Sequence, residues 1–157
     1  MHKEQKTPEN LDWANMKDCA KCVSFDGDAD RQIYFYTDED ENIKILDGDK
    51  QFAIILTYIK GLLNELGIDE EVSHIFVHSP YTNLKAHEYL AEKGIDAQVV
   101  KTGVKNAHPV IVNYDIGANN EPNGHGTVAY KLEVIDQILA KNGKSEEKAA
   151  KKLRVLL

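Results

Sequence analysis

Apolar and polar residues change their spacing several times along this chain, and each change predicts an element. Residues 22–25 are a short apolar run, read as a buried strand. In RQIYFY (31–36), Ile33 and Phe35 fall on one face and Tyr34 and Tyr36 on the other, the period of a strand. The charged turn TDEDEN (37–42) and the run IKIL (43–46) complete a predicted hairpin. The period then lengthens. In DGDKQFAIILTYIKGLLNELG (47–67), Phe52, Ile55, Ile59, Leu62, Leu63 and Leu66 form a helical stripe. Asp47 or Asp49 can cap its start, and Gly67 suits its stop.

Beyond it, SHIFVHS (73–79) predicts a strand, TNLKAHEYLAEKG (82–94) a helix ending at Gly94, and DAQVV (96–100) a strand. GVKNAHPVIVN (103–113) predicts a short helix troubled by Pro109, and YDIGANN (114–120) a further strand. KLEVIDQILAKNG (131–143) and SEEKAAKKLRVLL (145–157) read as amphipathic helices. Ser145 is the expected cap of the second, with Glu146 and Glu147 in its first turn. Alternation of this kind predicts an α/β fold, a three-layer arrangement with a mixed sheet flanked by helices. The expected divisions are a polar leader (1–17), an α/β domain (18–141) and a C-terminal helix (142–157).

Composition narrows the function. The 157 residues are 42% hydrophobic and 29% charged, enough apolar material for a core. The net charge of −7 argues against sequence-independent binding to nucleic acid or an anionic membrane, which needs clustered Lys and Arg. No apolar run approaches the roughly 20 residues of a membrane span. The first residues show no secretory signal, so a cytoplasmic location is the default expectation. Cys19 and Cys22 form a single CxxC, a weak zinc signal, and read as reduced cysteines before a strand.

Candidate chemistry starts at SFDGDADR (24–31). Asp26, Asp28 and Asp30 offer hard oxygen ligands suited to Mg²⁺ or Ca²⁺. An EF-hand would need Gly at the sixth position and Glu at the twelfth, where this chain has Arg31 and Thr37. An aspartyl-phosphate hydrolase would start Asp-x-Asp but needs further partners that do not follow. A solvated acidic turn neutralised by Arg31 is the plain alternative. A second cluster is NNEPNGHGT (119–127). Asn123-Gly124 signals a turn, so a hairpin tip is the bland reading. Yet Glu121, Asn123 and His125 place carboxylate, amide and imidazole on one loop, groups suited to sugar hydroxyls. Lys101, just after a strand, is on its own a surface lysine.

Taken in order, KCVSFDGDADRQIYFY, LDGDK, KTGVK and NGHGT resemble the phosphoacetylglucosamine mutases of the α-D-phosphohexomutase superfamily, over about residues 18–130. The resemblance implies a phosphohexomutase-like domain with a metal loop (26–31) and a sugar loop (121–126). It implies Mg²⁺ held by Asp26, Asp28 and Asp30, with Arg31 beside the reacting groups and Lys101 near phosphate or hydroxyl. It assigns hydroxyl binding to Glu121, Asn123 and His125, and catalytic parts to Arg31, Lys101 and His125. The reaction implied interconverts N-acetylglucosamine 6-phosphate and 1-phosphate through a phosphoserine. Pro122 departs from the alanine usual in that branch, which stiffens the loop.

Two family parts are absent. None of Ser24, Ser73, Ser79 and Ser145 lies in a Thr-Ala-Ser-His-Asn-Pro loop, and no Arg-Pro-Ser-Gly-Thr loop is present. The expectation is therefore the end of a second domain plus a third domain, inactive alone. Its partners would be a phosphosugar and the missing mutase domains, or its own copies through bared surface. A non-catalytic sugar-phosphate or metal module, or one completing an enzyme in trans, stays open. So does an unrelated acidic protein that binds Ca²⁺ or Mg²⁺.

Overall fold

The computed structural model describes residues 21–40 and 42–157. The predicted leader (1–17) and Cys19 lie outside the described residues. The chain runs as β1 (Cys22–Phe25), β2 (Gln32–Thr37), β3 (Ile43–Leu46), α1 (Gly48–Leu66), β4 (His74–His78), α2 (Leu84–Glu92), β5 (Ala97–Val99), α3 (Val104–Ile111), β6 (Ile116–Asn120), β7 (Gly126–Tyr130), α4 (Leu132–Lys141) and α5 (Lys148–Leu156).

β1, β2 and β3 form an antiparallel meander in that order. The alternation read in β2 holds: Phe35 is buried and pairs with Ile45, while Tyr34 and Tyr36 are exposed. β1 corrects the expectation of a buried strand. It lies at the edge of its sheet, Phe25 is 57% exposed, and Val23 is exposed as well. An apolar run cannot show by itself whether a second layer covers it.

The second sheet has the order β5-β4-β6-β7. β4 is parallel to β5 and β6, and β7 is antiparallel to β6. Its two faces are both covered, which produces the three layers. Phe76 and Ala118 pack with Phe52, Leu56 and Leu90 of α1 and α2. Ile75 and Val77 point the other way, against Ala107 and Ile111 of α3. The rest of α1 packs Leu62, Leu63 and Leu66 on Ile135 and Leu139 of α4 and Ala150 and Leu153 of α5. Burying about 25 cal/mol per Å² of such surface is what holds the layers together.

Sequence signals at helix ends divide cleanly. Asp47 is the cap of α1, its carboxylate accepting the Lys50 N–H at 3.1 Å, and Gly67 ends the helix in the left-handed region. Leu56 is buried where the stripe named Ile55, which is half-buried against the neighbouring cluster. Ser145 does not cap α5, which starts at Lys148 with Glu147, two residues after Ser145, at the cap position. The Ser145 carbonyl instead accepts from Arg154 Nη1 at 2.7 Å, which draws that segment to the end of α5. α3 forms despite Pro109, late in its eight residues. β7 had no counterpart as a strand, because Gly126, Thr127 and Ala129 carry little apolar signal.

Candidate functional site

The meander and the layered sheet meet where two loops touch. The first, residues 26–31, closes on itself. The Arg31 N–H donates to Asp26 Oδ1 at 3.3 Å, the Asp26 N–H to the Arg31 carbonyl at 3.4 Å, and the Ala29 N–H to the Asp26 carbonyl at 3.3 Å. Ala29 takes a φ of 60°, unusual for a residue with a Cβ, and so the loop turns. The turn gathers what an extended strand would spread: one carboxylate oxygen each from Asp26, Asp28 and Asp30, all within 4.8 Å of one another. The donors are hard, anionic and open to solvent, the chemistry a divalent cation such as Mg²⁺ requires. The residues fit that group.

Arg31 lies beside them, its Nε 3.6 Å from both Asp26 Oδ2 and Asp30 Oδ1. The carboxylates share their charge unequally. Desolvation pushes Asp26 up. The Arg31 N–H, a hydrogen bond with Asp30 and the guanidinium charge outweigh it and hold Asp26 below its usual range. Desolvation also pushes Asp30 up, and there the bond with Asp26 and the charges of Asp28 and Asp26 add to it, with His125 opposing. The two carboxylates are thus pushed in opposite directions, Asp26 down and Asp30 up.

The second loop, residues 121–125, is the tip of the β6–β7 hairpin, so the turn signal was sound. The Glu121 N–H donates to the His125 carbonyl at 2.8 Å and the Gly124 N–H to the Glu121 carbonyl at 3.0 Å. Asn123 braces it from within: Nδ2 donates to Glu121 Oε2 at 3.1 Å, and Oδ1 accepts the His125 N–H at 3.0 Å.

His125 reaches the first loop. Its Nδ1 is 3.2 Å from the Asp30 carbonyl and 3.3 Å from Asp30 Oδ2. Both are acceptors, so Nδ1 carries a proton, and in the neutral ring the lone pair is on Nε2. The backbones also join, the Gln32 N–H donating to the Gly124 carbonyl at 3.3 Å. Gly124 has a φ of 92°, and a Cβ there would strike the Gln32 carbonyl, so glycine is required.

Lys101 stands after β5, exposed, in the 101–103 turn that leads into α3. With Gly103, Asn119 and Glu121 it lines a shallow cleft at the C-terminal ends of the parallel strands, where open α/β sheets take ligands. The seven loop residues thus gather around a contact between positions 95 apart, and Lys101 approaches from the Glu121 side. Three residues that hold the site together had no role in the sequence reading: Gln32, Gln51 and Asn120. The available signal was a polar pair, Asn119 and Asn120, closing an otherwise apolar strand. Both are buried. Among the described residues no helix is long and apolar enough to cross a membrane.

Comparison with known proteins places this arrangement. The family model described as Phosphoacetylglucosamine mutase AMG1, domain III, matches residues 47–157. The phosphoacetylglucosamine mutase of Sus scrofa is 37% identical over 97% of this chain and 27% of its own length. A crystal structure of the Aspergillus fumigatus N-acetylphosphoglucosamine mutase in complex with GlcNAc-6P and magnesium superposes with a TM-score of 0.82. It is 29% identical over 98% of this chain and 28% of that one. An apo-form N-acetylglucosamine-phosphate mutase, a member of the α-D-phosphohexomutase superfamily, gives 0.79 at 29% identity, over 99% of this chain and 33% of its own. The chain spans about a quarter of the length of the curated relatives it matches.

Proposed function

Since the chain belongs to the phosphoacetylglucosamine mutase family, with residues 47–157 as its domain III, we propose that it supplies the metal loop and the sugar loop of a phosphohexose mutase. The reaction is interconversion of N-acetylglucosamine 6-phosphate and 1-phosphate through a phosphoserine. The observation that carries this reading is the contact of His125 with Asp30, which sets a hydroxyl-binding loop against a cation-binding one.

Asp26, Asp28 and Asp30 would hold Mg²⁺, which when bound acts as a Lewis acid on a phosphoryl oxygen. Arg31 offers a guanidinium at the rim of the carboxylates, placed to meet charge that develops on a phosphoryl group. Glu121 accepts sugar hydroxyls. Asn123 keeps Glu121 oriented and has a second amide N–H to give. His125, with its Nδ1 proton held by Asp30, accepts a hydroxyl proton at Nε2. Lys101 meets phosphate or hydroxyl from across the cleft. A sugar that turns over between half-reactions can be grasped in either sense by such a set of acceptors and donors.

The phosphoserine and the phosphate-gripping loop would come from other domains, so the chain alone is expected not to convert N-acetylglucosamine 6-phosphate, even with Mg²⁺ and a bisphosphate primer. A relative's structure bound to GlcNAc-6P and magnesium supports both ligands here. The test is calorimetric titration with Mg²⁺ and, separately, with N-acetylglucosamine 6-phosphate. Asp28→Asn should weaken Mg²⁺ about tenfold or more and leave folding unchanged. Mg²⁺ binding that survives this change intact would remove the metal loop from the reading. Turnover by the isolated chain well above blank would refute the need for the other domains.

A further inference from the structure

Asp49 is a charged side chain only 4% exposed, and it does not cap the helix that contains it, because Asp47 does. A carboxylate withdrawn from water must find donors for its oxygens. Its Oδ2 accepts the Asn83 N–H at 2.8 Å, from the segment after β4, and its Oδ1 accepts Asn120 Nδ2 at 3.0 Å, at the end of β6. Its place in the first turn of α1 suits a negative charge, since the helix macrodipole is positive there.

The same turn makes further attachments. The Gly48 N–H donates to the Pro122 carbonyl at 3.3 Å, and a Cβ at 48 would strike the Glu121 carbonyl. Gln51 Nε2 donates to the Gln32 and Leu46 carbonyls, each at 2.9 Å. One turn of a long helix thus holds the sugar loop at its root and within it, and holds the meander that bears the metal loop.

We propose that Asp49 is a positioning residue for the sugar loop. Through Asn120, whose backbone runs directly into Glu121, it fixes where Glu121 and His125 stand relative to Asp30. This rests on the reading of residues 121–126 as a sugar-binding loop. Asp49 touches neither substrate nor reacting group. Without its carboxylate the buried Asn120 amide loses its acceptor, and the root of the loop is released.

The test uses the whole chain with Asp49→Ala, with Asn120→Asp, and with the exchange Asp49→Asn plus Asn120→Asp. The single change at 120 sets two carboxylates face to face. The exchange keeps both hydrogen bonds, because the amide introduced at 49 accepts the Asn83 N–H and donates to the new carboxylate. Two quantities are read: hydrogen exchange at the Glu121 and Gly124 amides, and affinity for N-acetylglucosamine 6-phosphate. Either single change should speed loop exchange about tenfold or more and weaken binding comparably, with exchange in α4 and α5 unmoved. The exchange variant should bring both readouts back to within about threefold of the parent. Unchanged loop exchange in a folded Asp49→Ala protein would overturn the proposal. So would an exchange variant no better than Asn120→Asp alone. A parent chain that binds no sugar phosphate overturns the reading of the loop instead, and the exchange rates then decide the role of Asp49 by themselves.

Discussion

The meander β1–β3 and the layered sheet β4–β7 carry comparable chemistry on very different supports. The layered sheet is covered on both faces, and Leu63, Phe76 and Ile111 are sealed within it. The meander has a small cluster of Phe35, Ile43 and Ile45, and among the described residues β1 is its edge strand. The 26–31 loop therefore sits on the thinner support, and the bonds of the meander to the other region, Gln32 to Gly124 and Gln51 to Gln32, hold it against the 121–125 loop. The family's domain III begins at residue 47, between the two regions. A site built across such a boundary depends on the junction as much as on either core.

The sharpest way to break the comparison is Leu63→Ala, in the sealed core. It should cost about 2–5 kcal/mol in a denaturant titration, and a loss under about 1 kcal/mol would mean the core is looser than its burial implies. Next comes the junction. Gly124→Ala should destabilise by roughly 1–3 kcal/mol, since it forces a Cβ into the left-handed region and into the Gln32 carbonyl. It should also part His125 from Asp30, seen as loss of their mutual contacts by NMR. Intact contacts would show that the two loops are not held by this backbone pair.

A subtler test concerns the proposed cation site at residues 26–31. Desolvation, the bond with Asp26 and two neighbouring carboxylates keep Asp30 protonated to higher pH than an ordinary aspartate. That proton competes with a cation. Mg²⁺ affinity should therefore fall as pH drops through the range where Asp30 takes it up, and rise toward neutrality. Calorimetry at about pH 4.5 and pH 7 checks this, and a flat profile would uncouple Asp30 from the cation. The smallest effect belongs to the open edge: Val23→Thr should change stability by no more than about 0.5 kcal/mol. A larger loss would show that β1 is covered in solution.

Periodicity and punctuation made much of the fold legible. The stripe of α1, its Asp47 cap and its Gly67 stop are local, and local physics decides them. The misses share a cause. β1 looked buried because an apolar run says nothing of what lies over it. Ser145 looked like a cap because its residue type is right, yet its carbonyl serves Arg154. β7 is nearly silent because its pairing with β6, not its own side chains, makes it a strand.

The candidate site divides the same way. Spacing within residues 26–31 and 121–126 marks both loops, since ligand chemistry is written in neighbouring residue types. That Asp30 meets His125 depends on how the meander lies against the sheet. Asp49 shows the limit most plainly. In sequence it is a second candidate cap two residues from the first, and burial alone turns it into a tie between segments 34 and 71 positions away. Residue type and order could name the groups that bear charge and the elements that bear them. Which carboxylates face solvent, which crowd one another and which are sealed against an amide follows from long-range packing, because the cost of removing a charge from water depends on everything that surrounds it.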